Sequence, residues 1–155
     1  MSQQAEQHNA QDLEFVTLVA GGQNFCIEIT QIREIRRWSP VTILPHSPEH
    51  VLGVINLRGA VIPIIDLAAK LGFEKISPTE RHVIIIASID DTIIGLLVES
   101  VSEILGVSSD MLRETPRGPE DATTRAILGV ITIGEDMTKV INLATLSPKS
   151  DNIAA

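Results

Sequence analysis

Short apolar stretches separated by turn residues run along most of the chain, and they predict a protein built from β-strands. The segment LEFVTLVAGGQNFCIEI (13–29) predicts two strands joined by a Gly-Gly turn, and HVIIIASIDDTIIGLLVESV (82–101) predicts two strands joined at Asp90-Asp91. Some strands, such as VIIIA and IIGLLV, are apolar at every position. Because successive side chains of a strand point to opposite faces, these strands must be covered on both faces. The pattern therefore predicts a third core between two halves.

The next segments suggest a helix and then a strand. TQIREIRR (30–37) places two isoleucines three residues apart behind Thr30, a residue suited to capping, which predicts a short helix. The sequence Trp38-Ser39-Pro40 would end it. VTILP (41–45) predicts a short strand, and the proline-rich HSPEH after it predicts a loop.

Two further helices are predicted to be short. DLAAKLG (66–72) has Asp66 as its N-cap and Gly72 as its stop, and NLATL (142–146) ends the last predicted hairpin in a similar way. The charged, proline-rich RETPRGPEDATTR (113–125) predicts a surface loop. No long amphipathic helix separates the strands, which disfavours a parallel α/β fold.

Two pairs of segments repeat in the same order. LGVINLRGAVIPIIDL (52–67) aligns without a gap with LGVITIGEDMTKVINL (128–143), and ITQIREI (29–35) aligns with VESVSEI (98–104). These matches indicate an internal duplication of a unit of roughly 65 residues. A unit of that size buries little surface alone, so the two units are expected to share an interface. The repeat does not reveal whether the halves exchange strands.

The domain prediction follows from these elements. Residues 13–146 form one all-β domain of two small barrels or sandwiches with short helices, and the boundary between the duplicated halves lies near 72–80. The polar segments 1–12 and 147–155 are predicted to be flexible tails.

Composition narrows the class of protein. The chain has 155 residues, of which 44% are hydrophobic and only 3% aromatic, so its core must consist of aliphatic side chains. A net charge of −8 argues against nucleic-acid binding, which needs a basic surface. The single cysteine excludes an internal disulfide and fits a reducing cytosol. No basic, apolar signal segment and no apolar run of about 20 residues is present, so we expect a cytoplasmic protein without direct membrane insertion.

Candidate catalytic and metal-binding groups are few. Cys26 lies in mid-strand with no neighbour that would lower its pKa, so a buried structural thiol is expected. His46 and His50 have helical ligand spacing, but prolines surround them, and Asp90-Asp91 is an ordinary turn pair. We therefore predict no catalytic residue, no metal and no cofactor. A small β-barrel enzyme would need a polar pocket with convergent acid, base or nucleophile groups.

Arg58 is the most informative single residue. It interrupts an apolar strand pattern, and Gly59 after it permits a sharp turn. Gly53 before it would allow another backbone to approach closely. The duplicate carries Gly134 in place of Arg58, so the repeated frame does not require the arginine. From the residues alone, Arg58 is either a structural tie between the halves or a group presented to a partner.

A cluster of basic residues lies before Arg58 in the sequence. It consists of Arg33, Arg36 and Arg37 beside Trp38. It is either a solvated face or a protein contact, since Arg and Trp are enriched at interface hot spots.

The string NLRG-x-x-[IV]-P-[IV]-x-D-L, preceded by IREIRRWSPVTILP and followed by VIIIASIDDTIIGLLVESVSEIL, closely resembles the CheW-like domain of bacterial chemotaxis coupling proteins. The resemblance covers about residues 13–146. It implies two five-stranded SH3-like barrels packed around a shared core, and no catalysis. Without kinase or receiver sequence, the chain resembles the free-standing adaptor of this family.

The resemblance also implies partners. Such adaptors couple the cytoplasmic tip of methyl-accepting chemoreceptors to the regulatory domain of the CheA histidine kinase, as scaffolds of membrane-associated receptor arrays. A CheW-like scaffold of a non-flagellar motility or surface-growth kinase pathway is the alternative. The implied receptor-binding residues are Arg58, Gly53, Val83, Gly95 and Ile104, and the implied kinase-or-receptor contacts are Ile32, Glu34 and Ile35. Of these, only Arg58 and Glu34 resist an explanation by strand shape or core packing.

Overall fold

The computed structural model describes residues 12–114, 122–133 and 135–146, in which eleven strands and two short helices are found. The predicted tails lie outside these residues, except for Asp12, which begins the first strand. The strands are β1 Asp12–Ala20, β2 Gln23–Glu28, β3 Ile32–Arg37, β4 Val51–Leu57, β5 Ala60–Asp66, β6 Val83–Ile89, β7 Thr92–Val98, β8 Ser100–Ser108, β9 Leu112–Arg113, β10 Ile127–Ile133 and β11 Asp136–Ile141. The helices are α1 Leu67–Lys70 and α2 Ala122–Arg125, and single 3-10 turns form at Ile29–Gln31, Ser109–Met111 and Leu143–Thr145.

The helix predicted over 30–37 is wrong. Only Ile29–Gln31 is helical, as one 3-10 turn, and the rest is β3, which pairs antiparallel with β6. A β-bulge between Ile32 and Glu34 explains the misleading spacing of the isoleucines, because a bulge shifts the alternation of a strand by one residue.

Two other local predictions change. The strand predicted at 41–45 is reduced to one antiparallel bridge between Thr42 and Val54, closed by backbone hydrogen bonds of 2.9 and 2.8 Å. The loop predicted at 113–125 contains Arg113 of β9 and the helical turn α2, while residues 115–121 lie outside the described part of the chain.

The α1 helix forms as predicted. Asp66 is fully buried, and its Oδ1 accepts a hydrogen bond from the Ala69 N–H over 3.2 Å. Its Oδ2 accepts a second bond from the Ile76 N–H over 2.8 Å. Gly72 follows the helix with a φ of 94°, a conformation that stops helices. Asp66 thus caps the helix and also fastens the segment that leads to β6.

The strands form two sheets, and each sheet takes strands from both sequence halves. The six-stranded sheet has the order β8-β1-β2-β11-β10-β9, and the five-stranded sheet has the order β3-β6-β7-β5-β4. Strands β1 and β2 therefore pair with the second half, and β6 and β7 with the first. The joints are parallel, with Val140 of β11 opposite Cys26 of β2 and Ile64 of β5 opposite Gly95 of β7. The halves exchange strands, which the repeat had left open.

The predicted all-β architecture with a shared core is confirmed, but the barrels are not closed. Each sheet has two edge strands, and one sheet has six strands, not five, because the two-residue β9 adds to β10. The five-stranded sheet is joined across its open side by the bridge between Thr42 and Val54.

Three apolar cores are found within the described residues, and the all-apolar strands predicted the one between the two halves. One lies within the six-stranded sheet and includes Phe15 and Cys26, and one lies within the five-stranded sheet and includes Ile84 and Ile86. The shared core lies between the sheets and includes Leu18, Phe25, Ile27, Ile85, Ala87 and Leu96. Alternate residues of β6 enter different cores, as the geometry of a strand covered on both faces requires.

Candidate partner-binding site

The NLRG sequence forms the tip of the β4–β5 hairpin. Leu57 pairs with Ala60, so Arg58 and Gly59 form a two-residue turn, with φ values of 51° and 90°. Two positive φ values are typical of the type I′ turn, which matches the twist of the flanking strands. The Asn56 Oδ1 accepts a hydrogen bond from the Gly59 N–H over 3.0 Å. Asn56 and Gly59 therefore build the turn, and Arg58 projects from it.

The Arg58 side chain forms an ion pair with Glu34. Its Nη2 donates to the Glu34 Oε1 over 2.6 Å, although 74% of the arginine side chain remains exposed. Arg36 approaches the other carboxylate oxygen, with an Nη1–Oε2 distance of 3.4 Å. The hydrogen bond from Arg58, followed by the charges of both arginines, lowers the pKa of Glu34 below its ordinary value of 4.5.

This ion pair joins the two edges of the five-stranded sheet, because Glu34 belongs to β3 and Arg58 follows β4. The two residues that the sequence analysis could not explain by packing therefore contact each other. The equivalent of Arg58 in the duplicate, Gly134, lies outside the described residues.

Ile35 and Ile104 occupy equivalent positions on two edge strands. Ile35 of β3 lies opposite Ile85 and is 45% exposed, and Ile104 of β8 lies opposite Val16 and is 58% exposed. A bulge interrupts both pairings at the same point of the repeat. Ile32 is partly buried against the shared core, as is Val101 at the matching position of β8. The duplication has thus given each sheet an edge with one exposed isoleucine.

The remaining predicted contacts lie mainly inside the sheets. Gly53 is buried with a φ of 153°, and a Cβ there would collide with the backbone oxygen of Thr42. Gly95 is buried, and a Cβ there would lie 2.5 Å from the Ile64 Cδ1. Val83 is half-buried against the shared core. Close approach of another backbone at Gly53 agrees with the sequence analysis, and both glycines have a sufficient structural explanation.

Cys26 is buried, and burial raises the pKa of its thiol to about 12. The thiol therefore stays protonated at neutral pH and is a poor nucleophile. Within the described residues, no group of three or more His, Cys, Asp or Glu side chains is arranged to hold a metal ion. In the same part of the chain, no helix is long and apolar enough to cross a bilayer.

Several exposed apolar residues of the described chain were missed by the sequence analysis, and three of them lie on or near the five-stranded sheet. Ile43 is 78% exposed, and Leu44 and Val61 are also exposed. Ile43 and Leu44 belong to the apolar VTILP, for which the sequence predicts a strand. Pro40 directly before this segment and Pro45 at its end were the available signal, because prolines disfavour a regular strand there.

Comparisons with known proteins agree with the fold and the motif. The family model of the CheW-like domain matches residues 14–150. A probable chemotaxis protein CheW of Rhizobium etli is 44% identical over 155 residues, which is all of both chains. The chemotaxis protein CheW of Rhizobium meliloti is 44% identical over 142 residues, or 92% of each chain. The crystal structure of the scaffolding protein TtCheW from Thermoanaerobacter tengcongensis superposes with a TM-score of 0.80 at 27% identity, covering 88% of this chain and 92% of that one. This chain therefore belongs to the CheW-like domain family and is a non-catalytic scaffolding protein of chemotaxis.

Proposed function

We propose that this protein couples the cytoplasmic tip of methyl-accepting chemoreceptors to the regulatory domain of the CheA histidine kinase. It acts in the cytoplasm and is recruited to membrane-associated receptor arrays. Membership of the family supports the chemotaxis role. The observation that carries the choice of surface is Arg58, an exposed cation fixed at a hairpin tip by Glu34.

The position of Arg58 is unfavourable for an arginine. Its φ of 51° is a conformation that non-glycine residues rarely adopt, and the duplicate has glycine at the matching place. Its side chain is largely exposed, and exposed ion pairs contribute little to stability. The turn and the fold therefore give little reason to keep an arginine here, and partner binding supplies one.

The chemistry of the pair suits protein recognition. A guanidinium offers five N–H donors in a rigid fork, and only one contact to Glu34 is made by Arg58. Glu34 thus fixes the fork while other donors remain available to a partner. Exposed isoleucines on β3 and β8 supply apolar area of the kind that interfaces bury.

We assign the receptor contact to Arg58 and Ile104. Gly53 shapes β4, which leads to Arg58, and Gly95 and Val83 belong to β7 and β6 of the same five-stranded sheet. Ile32, Glu34 and Ile35 on β3 contact the kinase or the receptor. Glu34 serves the site in two ways on this proposal, as the anchor of Arg58 and as part of the β3 surface.

The test is Arg58→Ala, measured by calorimetric binding to a receptor cytoplasmic fragment and to the kinase regulatory domain, singly and together. We expect receptor affinity to fall roughly 30-fold, the loss typical of removing a charged hydrogen-bonding partner from an interface. The thermal midpoint should change little because the side chain is exposed. Arg58→Lys should restore binding only in part, since a single ammonium cannot reproduce the fork.

Arg113→Ala is the matched control, because Arg113 is an exposed arginine on the other sheet. Its receptor binding should stay near that of the unmodified protein. A collapsed melting transition for Arg58→Ala would identify Arg58 as a structural tie. Unchanged receptor binding by a folded Arg58→Ala protein would exclude the proposed role.

A further inference from the structure

The β3 strand differs from its duplicate in charge. Arginine occupies three of its six positions, whereas the matching positions of β8 carry no cation. The replacements on β8 are Ser102 for Arg33, Leu105 for Arg36 and Gly106 for Arg37. The isoleucine and the glutamate are retained on both strands. The repeated frame therefore tolerates neutral side chains at these places, and the cations are particular to β3.

The strand pairings place these side chains on two faces. Ile35 and Arg37 lie opposite Ile85 and Val83, which contact the shared core. Ile35 and Arg37 therefore lie on the same face of the sheet as that core, at its solvent-exposed edge. Arg36 points to the other face, where it approaches Glu34. Arg33 lies at the bulge and is exposed. An exposed isoleucine is thus flanked along the strand by two exposed arginines.

Arg33 and Arg37 have no ion pair within the described part of the chain, although the whole protein carries a net charge of −8. Charged residues on edge strands often serve only to prevent aggregation. That explanation is weakened here by β8, an edge strand with a more exposed isoleucine and no cation. Protection against aggregation therefore does not account for arginines that are present on β3 and absent from β8.

We propose that the β3 edge docks a segment of a partner protein in which carboxylates flank an apolar side chain. The apolar side chain covers Ile35, and the carboxylates pair with Arg33 and Arg37. This inference rests on the proposed function and adds the chemistry of the bound surface. Anionic lipid is a weaker candidate, because attachment to it commonly uses about four to eight clustered cations.

The experiment reverses these charges in Arg33→Glu/Arg37→Glu, with Arg113→Glu/Arg125→Glu as the control. Both double variants lower the net charge equally, and the control arginines are exposed residues away from β3. Affinities for the kinase regulatory domain and the receptor fragment are measured at about 50 mM and about 500 mM salt. At low salt we expect a loss of at least about tenfold for one partner with the β3 variant alone. The loss should shrink at high salt, because exposed charges are screened.

Equal losses in both double variants, no loss for either partner, or a loss that is independent of salt would each overturn the inference. Failure of the unmodified protein to bind either partner would instead refute the proposed function. Co-sedimentation with phosphatidylserine vesicles is the lipid arm. Vesicle binding that is abolished by the β3 variant, with partner binding unchanged, would also overturn it.

Crosslinking identifies the facing groups directly. Arg37→Lys places a primary amine on the strand, and a water-soluble carbodiimide joins an amine to a carboxylate in contact with it as an amide, with loss of water. Mass spectrometry should find the crosslink at an aspartate or glutamate of the partner, and Arg113→Lys should give little product. Equal yields from both variants would contradict a specific acidic partner surface.

Discussion

Replacing Gly53 with alanine should destabilise the fold by about 2–4 kcal/mol. Gly53 lies where β4 passes against the segment before it, and the predicted receptor contact at this residue makes the outcome informative. The added Cβ would collide with the backbone oxygen of Thr42 and would lie 2.8 Å from a methyl carbon of Val41. The carbonyl is held in the bridge to Val54, so it cannot move without loss of that bridge.

The magnitude follows from two contributions. A non-glycine residue forced to a φ of 153° costs about 1–3 kcal/mol. The two backbone hydrogen bonds between Thr42 and Val54 contribute about 0.5–1.5 kcal/mol each, and moving the Thr42 carbonyl weakens both. Partial relaxation keeps the total below the sum of the two.

Gly129 provides the matched control, because it occupies the equivalent place in the duplicate. A Cβ there would lie 2.5 Å from the Arg113 backbone oxygen, but Gly129 has no positive φ. Gly129→Ala therefore suffers the collision without the backbone strain, and we expect a smaller loss of about 1–2 kcal/mol.

Urea unfolding followed by tryptophan fluorescence measures both variants. Trp38 is the only tryptophan, the chain has no tyrosine, and Trp38 packs against the core of the five-stranded sheet that holds Gly53. An unchanged unfolding midpoint for Gly53→Ala would refute the collision argument. Lost receptor binding at unchanged stability would make Gly53 a direct contact.

Asp66→Ala should cost about 2–4 kcal/mol in urea unfolding because it leaves two partly buried N–H groups without their acceptor, and Asp66→Asn should cost less; equal costs would contradict the capping role. Cys26→Ala should keep partner binding and lose about 1–2 kcal/mol of stability, and loss of kinase coupling by a folded variant would contradict a structural thiol. In the unmodified protein, the thiol should resist alkylation until the chain unfolds. The carboxyl of Glu34 should titrate below 4.5 by NMR, and its pKa should return towards that value in Arg58→Ala. The ion pair therefore contributes stability at pH values above the ordinary pKa, and this contribution is lost as the pH falls through the lowered pKa of the folded protein. Glu34→Ala should weaken partner binding and Glu103→Ala should not, because only Glu34 holds an arginine at a hairpin tip; equal effects would count against the site.

The sequence determined the features that depend on near neighbours. The β1–β2 and β6–β7 hairpins, the Asp66 cap and the stop at Gly72 follow from turn and capping residues within a few positions. The shared core was also predictable, because a strand that is apolar at every position requires cover on both faces. The motif was specific enough to indicate the family and with it the scaffold function.

Tertiary structure decided the rest. Two isoleucines three residues apart fit a helix and a bulged strand equally well, and the pairing of β3 with β6 selected the strand. The sequence could not predict the exchange of strands between the halves. The order of elements along each copy is the same whether a strand joins its own sheet or the other one. The contact between Glu34 and Arg58 arises only when the first and last strands of the five-stranded sheet curve towards each other. Local sequence therefore predicts the hairpins and the helix cap, whereas β3 and the meeting of distant edges depend on pairing between residues far apart in the chain.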